Sequence, residues 1–528
     1  MAIRQKVVIA ETIADVGVQG LEAFYDVVDA VGKTRDEVLA LVGDAAAIIV
    51  RSATQVDREM IEAAPELVVV GRAGIGVDNI DIDAATEHGV MVVNAPHANT
   101  ISAAEHTMAL LLAQARRIPE ADRSLREGRW DRKEFRGIEL HDKTLGILGL
   151  GKIGTLVAQR ASSFGMRIVA YDPYVSPEQA KRVGVEMLSL DEVFAISDML
   201  TIHLPKTPQT SNIIDAASIA KMKTGVRIVN VARGGIVNEA DLADAVRSGA
   251  VGGAAVDVFE TEPTTESPLF DVPRITVTPH LGASTTEAQD KAGIAVARAV
   301  GDALSGELVL SAVNLDLGPA VSSDALPFVK LAEQLGTIFA VFSKGIPSTM
   351  TVCAQGRLAD EPVRPIALAV LKGALAAASD VPVSYINAPL IAEEHGISVI
   401  EESRQDSSGY QSVIQISGEV AGRPRTVSGT YMERRGAVLI AVDEYAIEVP
   451  LTNHMLLIRN EDAPGCIGRV GTLLGDLRIN IADMVVGRSP DGAAAMMGIA
   501  LDQALPEEAA ASLLELEGIA AARYIDLS

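Results

Sequence analysis

Thr144-Leu145-Gly146-Ile147-Leu148-Gly149-Leu150-Gly151-Lys152-Ile153-Gly154 reads as a short apolar strand running straight into a glycine-rich turn. The first glycine, Gly149, allows the tight turn, Gly151 lets backbone approach a pyrophosphate, and Gly154 lets the following helix pack on the strand. Leu156, Val157 and Ala161 give that helix its apolar face, and its first N–H groups would point at an anion. Arg167-Ile168-Val169-Ala170-Tyr171 is a second strand, and Asp172 closes it, where a carboxylate accepts hydrogen bonds from a ribose. A glycine turn alone is a weak signal. The strand before it, the helix after it and the terminal acid make it a dinucleotide site. Pro173 follows Asp172 with no arginine nearby, so a 2′-phosphate would meet an uncompensated carboxylate and NAD is preferred over NADP.

The chain of 528 residues has material for three or four domains, and 48% hydrophobic content supplies several cores. No run of about eighteen apolar residues is present and Met1 to Val7 lacks a signal-peptide pattern, so a cytoplasmic enzyme without a membrane partner is expected. Cys353 and Cys466 stand in separate regions, which indicates neither a disulfide framework nor a metal site. A net charge of −25 repels nucleic acid and anionic membrane alike. Any anionic ligand must therefore be met by arginines, lysines and helix N-termini inside a cleft.

Before the glycine turn, Lys6–Ala10, Ala46–Val50, Leu67–Val70 and Val90–Asn94 read as strands with helices between them, a smaller α/β domain. Two of these strands lead into arginines, Arg51 and Arg72, at the carboxyl end where ligands of open α/β sheets gather. A helix from about Ser102 crosses to the nucleotide unit; Glu105 and His106 on it are read as structural. The basic loop Arg129-Trp130-Asp131-Arg132-Lys133 holds the only tryptophan and suits either a subunit contact or a plain surface turn. After Asp172, strands are expected at Met199–His203, Val226–Val231, Gly252–Val258 and Ile275–Thr278. A helix over 292–304 and the segment Ala312-Val313-Asn314 return the chain to the first domain, which is thus split. The expected domains are 1–98 with 284–315, 99–283, 316–452 and 453–528. Residues 316–452 read as an α+β insertion without chemistry of its own. The last segment has the order βαββαβ.

Removal of a hydride from C2 of a 2-hydroxy acid needs a base for the hydroxyl proton, an orienting group for that base and a cation for the carboxylate. His280, after Thr278-Pro279, supplies an imidazole whose ordinary pKa near ~6.5 suits proton exchange at neutrality. Glu262 can fix its tautomer, and Arg233 offers a planar fork to a carboxylate. His203, like His106, is read as structural.

Gly149 to Gly154, Ala232-Arg233-Gly234-Gly235, Asp257 with Glu262-Pro263, and Pro279-His280-Leu281-Gly282-Ala283-Ser284 together resemble the D-isomer-specific 2-hydroxyacid dehydrogenases. The whole layout is similar to the long-form members that act on 3-phosphoglycerate. That resemblance implies an α/β fold: a Rossmann-type doubly wound domain, a split flavodoxin-like substrate domain, an α+β intervening domain and a C-terminal ACT domain. It implies NAD-dependent oxidation of 3-phospho-D-glycerate to 3-phosphohydroxypyruvate, the first step of L-serine synthesis, by a homotetramer. His280 would be the acid/base, Glu262 its partner, and Arg233 would meet substrate. Gly149, Gly151, Lys152, Ile153, Gly154, Asp172, Val231, Ala232, Arg233, Asp257, His280, Leu281, Gly282 and Ala283 would line the cofactor. Arg51 and Arg72 match anion-binding loops, and Arg132 with Lys133 would reach a neighbouring subunit's substrate. Asp462 and Asn480 would bind L-serine at a module interface, although Asn460 stands where histidine or tyrosine is frequent. Two other readings stay open: a dehydrogenase of glyoxylate, hydroxypyruvate or another 2-hydroxy acid, and an NAD-sensing interaction protein.

Overall fold

A computed structural model describes residues 4–318, 322, 324–379, 382–407 and 409–528. Met1 to Ile3, at the start of the expected N-terminal pattern, lie outside these. Four sheets organise the chain.

The first sheet is wholly parallel and has five strands in the spatial order Asp26–Asp29, Lys6–Ile9, Ala45–Val50, Val69–Arg72, Met91–Asn94. Its central strand is buried along its whole length, as expected of a parallel strand covered on both faces. The third expected strand lies two residues later than Leu67–Val70, so Arg72 is its last residue and not part of the following loop. Asp26–Asp29 is an edge strand that the pattern did not indicate. The returning chain closes this unit: the Val313 N–H donates to the Val92 carbonyl at 2.7 Å, and Asn314 bonds the backbone of both Val90 and Val92.

The second sheet has seven parallel strands. Thr144–Leu148 lies between Arg167–Tyr171 on one side and Met199–Ile202 on the other, so the strand order reverses beside the glycine turn. Ligands of doubly wound sheets bind at such a reversal, outside the carboxyl ends of the strands. Two helices cross between the sheets, Thr100–Arg116 and Thr286–Leu304. They are tied at the crossing, where the Ser102 and Thr285 hydroxyls meet at 2.8 Å.

The third sheet has six strands, antiparallel except for the pair Thr349–Gly356 and Ser398–Arg404. Helices Leu326–Ser343 and Arg364–Ala376 pack together beside it; a Cβ on Gly336 would stand 2.1 Å from the Val370 carbonyl oxygen. Leu326–Ser343 is long and apolar enough to cross a membrane by length and composition. Here Leu331, Leu335, Ile338 and Phe339 are fully buried, so it is a core helix.

The fourth sheet orders its strands Ile481–Arg488, Ala494–Leu501, His454–Glu461, Ile519–Asp526, the βαββαβ arrangement. One face packs on its own helices through Leu456, Ile458, Val470, Leu474 and Leu513. The other face, through Met455, Leu457, Met496, Ala500 and Ile525, joins an apolar core that runs without a break through the six-stranded sheet's domain to the five-stranded sheet.

Candidate active site

The turn after Thr144–Leu148 has the geometry that its glycines imply. Gly149 has φ +93°, and a Cβ there would stand 2.6 Å from the His203 carbonyl oxygen. On Gly154 a Cβ would approach the Gly149 carbonyl oxygen to 2.2 Å, so the helix Lys152–Ser162 could not sit so close to the strand. Gly151 differs: nothing lies within 4 Å of its Cβ position, which leaves open space for a ligand against the backbone. Asp172 accepts from the Leu150 N–H at 2.8 Å, so the acid at the second strand's end also fixes the turn. Lys152, the first helical residue, places its ammonium 2.8 Å from a ring nitrogen of His97 in the crossing loop. His203 lies beneath the turn, where burial pushes its imidazole down to about 4.

On the facing loops the catalytic candidates come together. His280 Nδ1 lies 2.5 Å from Glu262 Oε2, and the other oxygen of Glu262 accepts from the Phe259 N–H at 2.7 Å. With Nδ1 donating to the carboxylate, Nε2 is the ring nitrogen left for chemistry. Burial alone would raise Glu262, but the bonds from His280 and Phe259 outweigh it and hold the carboxyl below its ordinary range. Its stabilising contribution is therefore complete above that range and is lost as the pH falls through the depressed value.

His280 has φ +54°, a left-handed conformation that costs a non-glycine residue energy and is maintained by its surroundings. Asp257, 0% exposed, provides much of that support. Its backbone carbonyl accepts from the His280 N–H at 2.8 Å, and its carboxylate accepts from Leu281 N–H at 2.8 Å and Gly282 N–H at 2.9 Å.

Arg233 follows the strand Val226–Asn230 in a loop stapled by buried Asn230, whose side chain bonds both Ala232 N–H and the Arg233 carbonyl. Val231 beside it is buried. The Arg233 guanidinium reaches the other lobe: Nη2 would lie 2.7 Å from a Cβ on Gly76, and Nε is 3.7 Å from Asp78. Arg72 lies beyond it with its Nε buried and unpartnered. Burial, and then Arg233 and Arg51, pull Arg72 below the usual guanidinium range, against Asp78 and Glu11. Arg51 lines a cavity of about 220 Å³ with Thr12, Asp15 and Gln289. Arg72, repelled by both Arg233 and Arg51 and with a buried donor to spare, suits a ligand with more than one negative charge.

The other expected residues lie elsewhere. Arg132 and Lys133 stand exposed in their loop beside Trp130, which is 80% exposed. Asp462 pairs with Arg488 at 3.0 Å, whereas Asn480 donates to Asp502. These two sit at opposite ends of the eight-residue strand Ile481–Arg488, roughly 25 Å apart, so one chain cannot bring them to a single small ligand. Asn460 is 3% exposed and turned into the module. Reading the sequence assigned no role to Asp78 or His97, and the acidic residue within Gly74-Ile75-Gly76-Val77-Asp78 was the available signal for the first of them.

Residues 108–282 match the family model described as D-isomer specific 2-hydroxyacid dehydrogenase, NAD binding domain. Residues 325–443 match the D-3-phosphoglycerate dehydrogenase intervening domain, and residues 454–518 the ACT domain. D-3-phosphoglycerate dehydrogenase of Mycobacterium tuberculosis (strain ATCC 25618 / H37Rv) is 44% identical over 99% of both chains. The protein of that name from Archaeoglobus fulgidus is 41% identical over 99% of this chain and 100% of its own. The chain belongs to the D-3-phosphoglycerate dehydrogenase family. It is an NAD-dependent oxidoreductase of the D-2-hydroxyacid dehydrogenase class. Among solved structures, a glyoxylate reductase from Paecilomyes thermophila has a TM-score of 0.55 and 32% identity, covering 59% of this chain and 99% of its own. The NAD-dependent formate dehydrogenase from Staphylococcus aureus in complex with NAD has a TM-score of 0.52 and 31% identity, covering 58% of this chain and 96% of its own. The open backbone at Gly151 and the free end of the glycine turn fit such a cofactor.

Proposed function

We propose that the enzyme oxidises 3-phospho-D-glycerate at C2, with His280 Nε2 taking the hydroxyl proton as the hydride leaves. When bound, NAD supplies the hydride acceptor; the remaining work falls to the chain's own residues. Glu262 fixes the imidazole and stabilises it once protonated. Arg233 holds the substrate carboxylate in a bidentate grip, and the second charge, the phosphate, falls to Arg72 and Arg51. The observation that carries this reading is the His280–Glu262 pair at 2.5 Å on the lobe that also carries Arg233, whose guanidinium reaches towards Arg72 on the other lobe. A steady-state assay of NADH formation tests it: 3-phosphoglycerate should be turned over and D-lactate and D-glycerate poorly. Equal rates with the unphosphorylated acids would remove the assigned role of Arg51 and Arg72.

Regulation and assembly extend the same reading. Because Asp462 and Asn480 lie at opposite ends of one sheet, an L-serine site using both requires two modules side by side, Asp462 from one and Asn480 from its neighbour. We assign that pairing to a homotetramer in which Arg132 and Lys133 extend towards an adjacent subunit's substrate. Asn480→Ala should abolish inhibition by L-serine and leave the uninhibited rate unchanged. A rate assay across serine concentrations checks this, and undiminished inhibition would count against the site. Both cysteines are free and buried, which suits a reducing compartment, and we place the enzyme in the cytoplasm.

A further inference from the structure

His106, on the helix Thr100–Arg116 that crosses between the lobes, directs its Nε2 at the Asp257 carboxylate, 3.2 Å away, and lies 3.3 Å from the Thr278 hydroxyl. That carboxylate has no exposed surface. An ionised group so placed is tolerated only when donors surround it. Two donors are backbone amides, of Leu281 and Gly282, and a third is the Thr278 hydroxyl at 2.5 Å. These three lie on the loop that carries His280. The fourth donor, His106, comes from a separate element and anchors the carboxylate from behind.

We propose that His106 is a positioning residue of the reaction, acting through Asp257 to hold the His280–Ala283 loop in the shape that receives the cofactor. The inference rests on the proposed reading of that loop as a cofactor-lining segment. Without the imidazole, Asp257 keeps its loop partners but loses the hydrogen-bonded tie to the crossing helix, and the loop gains freedom that cofactor binding must then remove. Within the helix, Glu105 pairs with Arg160 at 3.4 Å, so the neighbouring acid offers His106 no substitute for Asp257.

Three variants test this by equilibrium titration with NADH, followed by fluorescence and independent of turnover. His106→Leu should weaken NADH binding about tenfold, the usual loss for a hydrogen bond to a charged group, and raise KM for NAD more than it lowers kcat. His106→Gln, whose amide can reach Asp257, should recover most of the affinity. His106→Asn, polar but shorter, should not. Parental affinity in His106→Leu would overturn the proposal; if that variant does not fold, equal affinities in the Gln and Asn variants would do so. Failure of 3-phosphoglycerate as a substrate for the parent enzyme, with these binding differences intact, would sink the substrate assignment alone.

Discussion

Replacing His280 by Gln should lower kcat by about 10³-fold, within the range associated with a positioned proton acceptor, and leave the affinity for NADH within a few-fold of the parent. The substitution leaves the backbone bonds of residues 280–282 to Asp257 in place, so the loop keeps its principal support. The amide cannot accept a proton and hold it. The loss should therefore fall on kcat and kcat/KM equally, the signature of an interaction used only at the transition state. Steady-state kinetics with 3-phosphoglycerate, paired with NADH titration, separates this from a general disturbance of the site. The left-handed φ of +54° gives a second control, because that strain exists before and after the change. Turnover at the parental rate would end the assignment of His280 as the base.

The second large effect is expected at Arg233. Arg233→Gln should reduce kcat/KM for 3-phosphoglycerate by about 10²- to 10³-fold, because the charge that pairs with the substrate carboxylate is replaced by a neutral group. Arg233→Lys should recover little, since an ammonium cannot reproduce the planar two-point contact. The structure adds a complication that sharpens the test. Arg233 and Arg72 repel each other across the cleft, so removing Arg233 relieves Arg72 and should slightly stabilise the empty protein while disabling it. A kinetic loss accompanied by an unchanged or raised melting temperature fits this arrangement. A normal KM for substrate in Arg233→Gln would place the carboxylate elsewhere.

The parts of this fold that were legible in the sequence are those whose signal is local. Strand, glycine turn, helix and acid follow one another between Lys143 and Asp172, and each step has its own steric cause, such as the close approach at Gly154. His280, Glu262 and Arg233 were legible because loops at strand ends in a parallel sheet converge on one edge. Long-range pairing was much less visible. Thr349–Gly356, the second strand of the six-stranded sheet, is flanked by Ser398–Arg404 in parallel and Ser412–Val420 in antiparallel fashion, and its own residues do not reveal those partners. Asp26–Asp29 begins and ends in exposed aspartates, so an edge strand there has no apolar run to announce it. His106 was read as structural because it stands near the start of a crossing helix with no strand-end loop or glycine turn beside it in the sequence. Only the folded chain reveals that Asp257, distant in sequence, needs a donor at that point.

The unbroken apolar core also bears on how a signal would travel. Met455, Met496 and Ile525 of the terminal module belong to the same packed mass as Leu335 and Phe339, and as Val296 and Val300 against the sheet that ends in Arg51 and Arg72. Close-packed side chains yield little under load, so they pass displacement on instead of absorbing it. The tail is consequently less a tethered appendage than the outer end of a rigid strut. On the proposed pairing of terminal modules, a twist of one tail would reach the strands that lead to Arg51 and Arg72 through packed side chains.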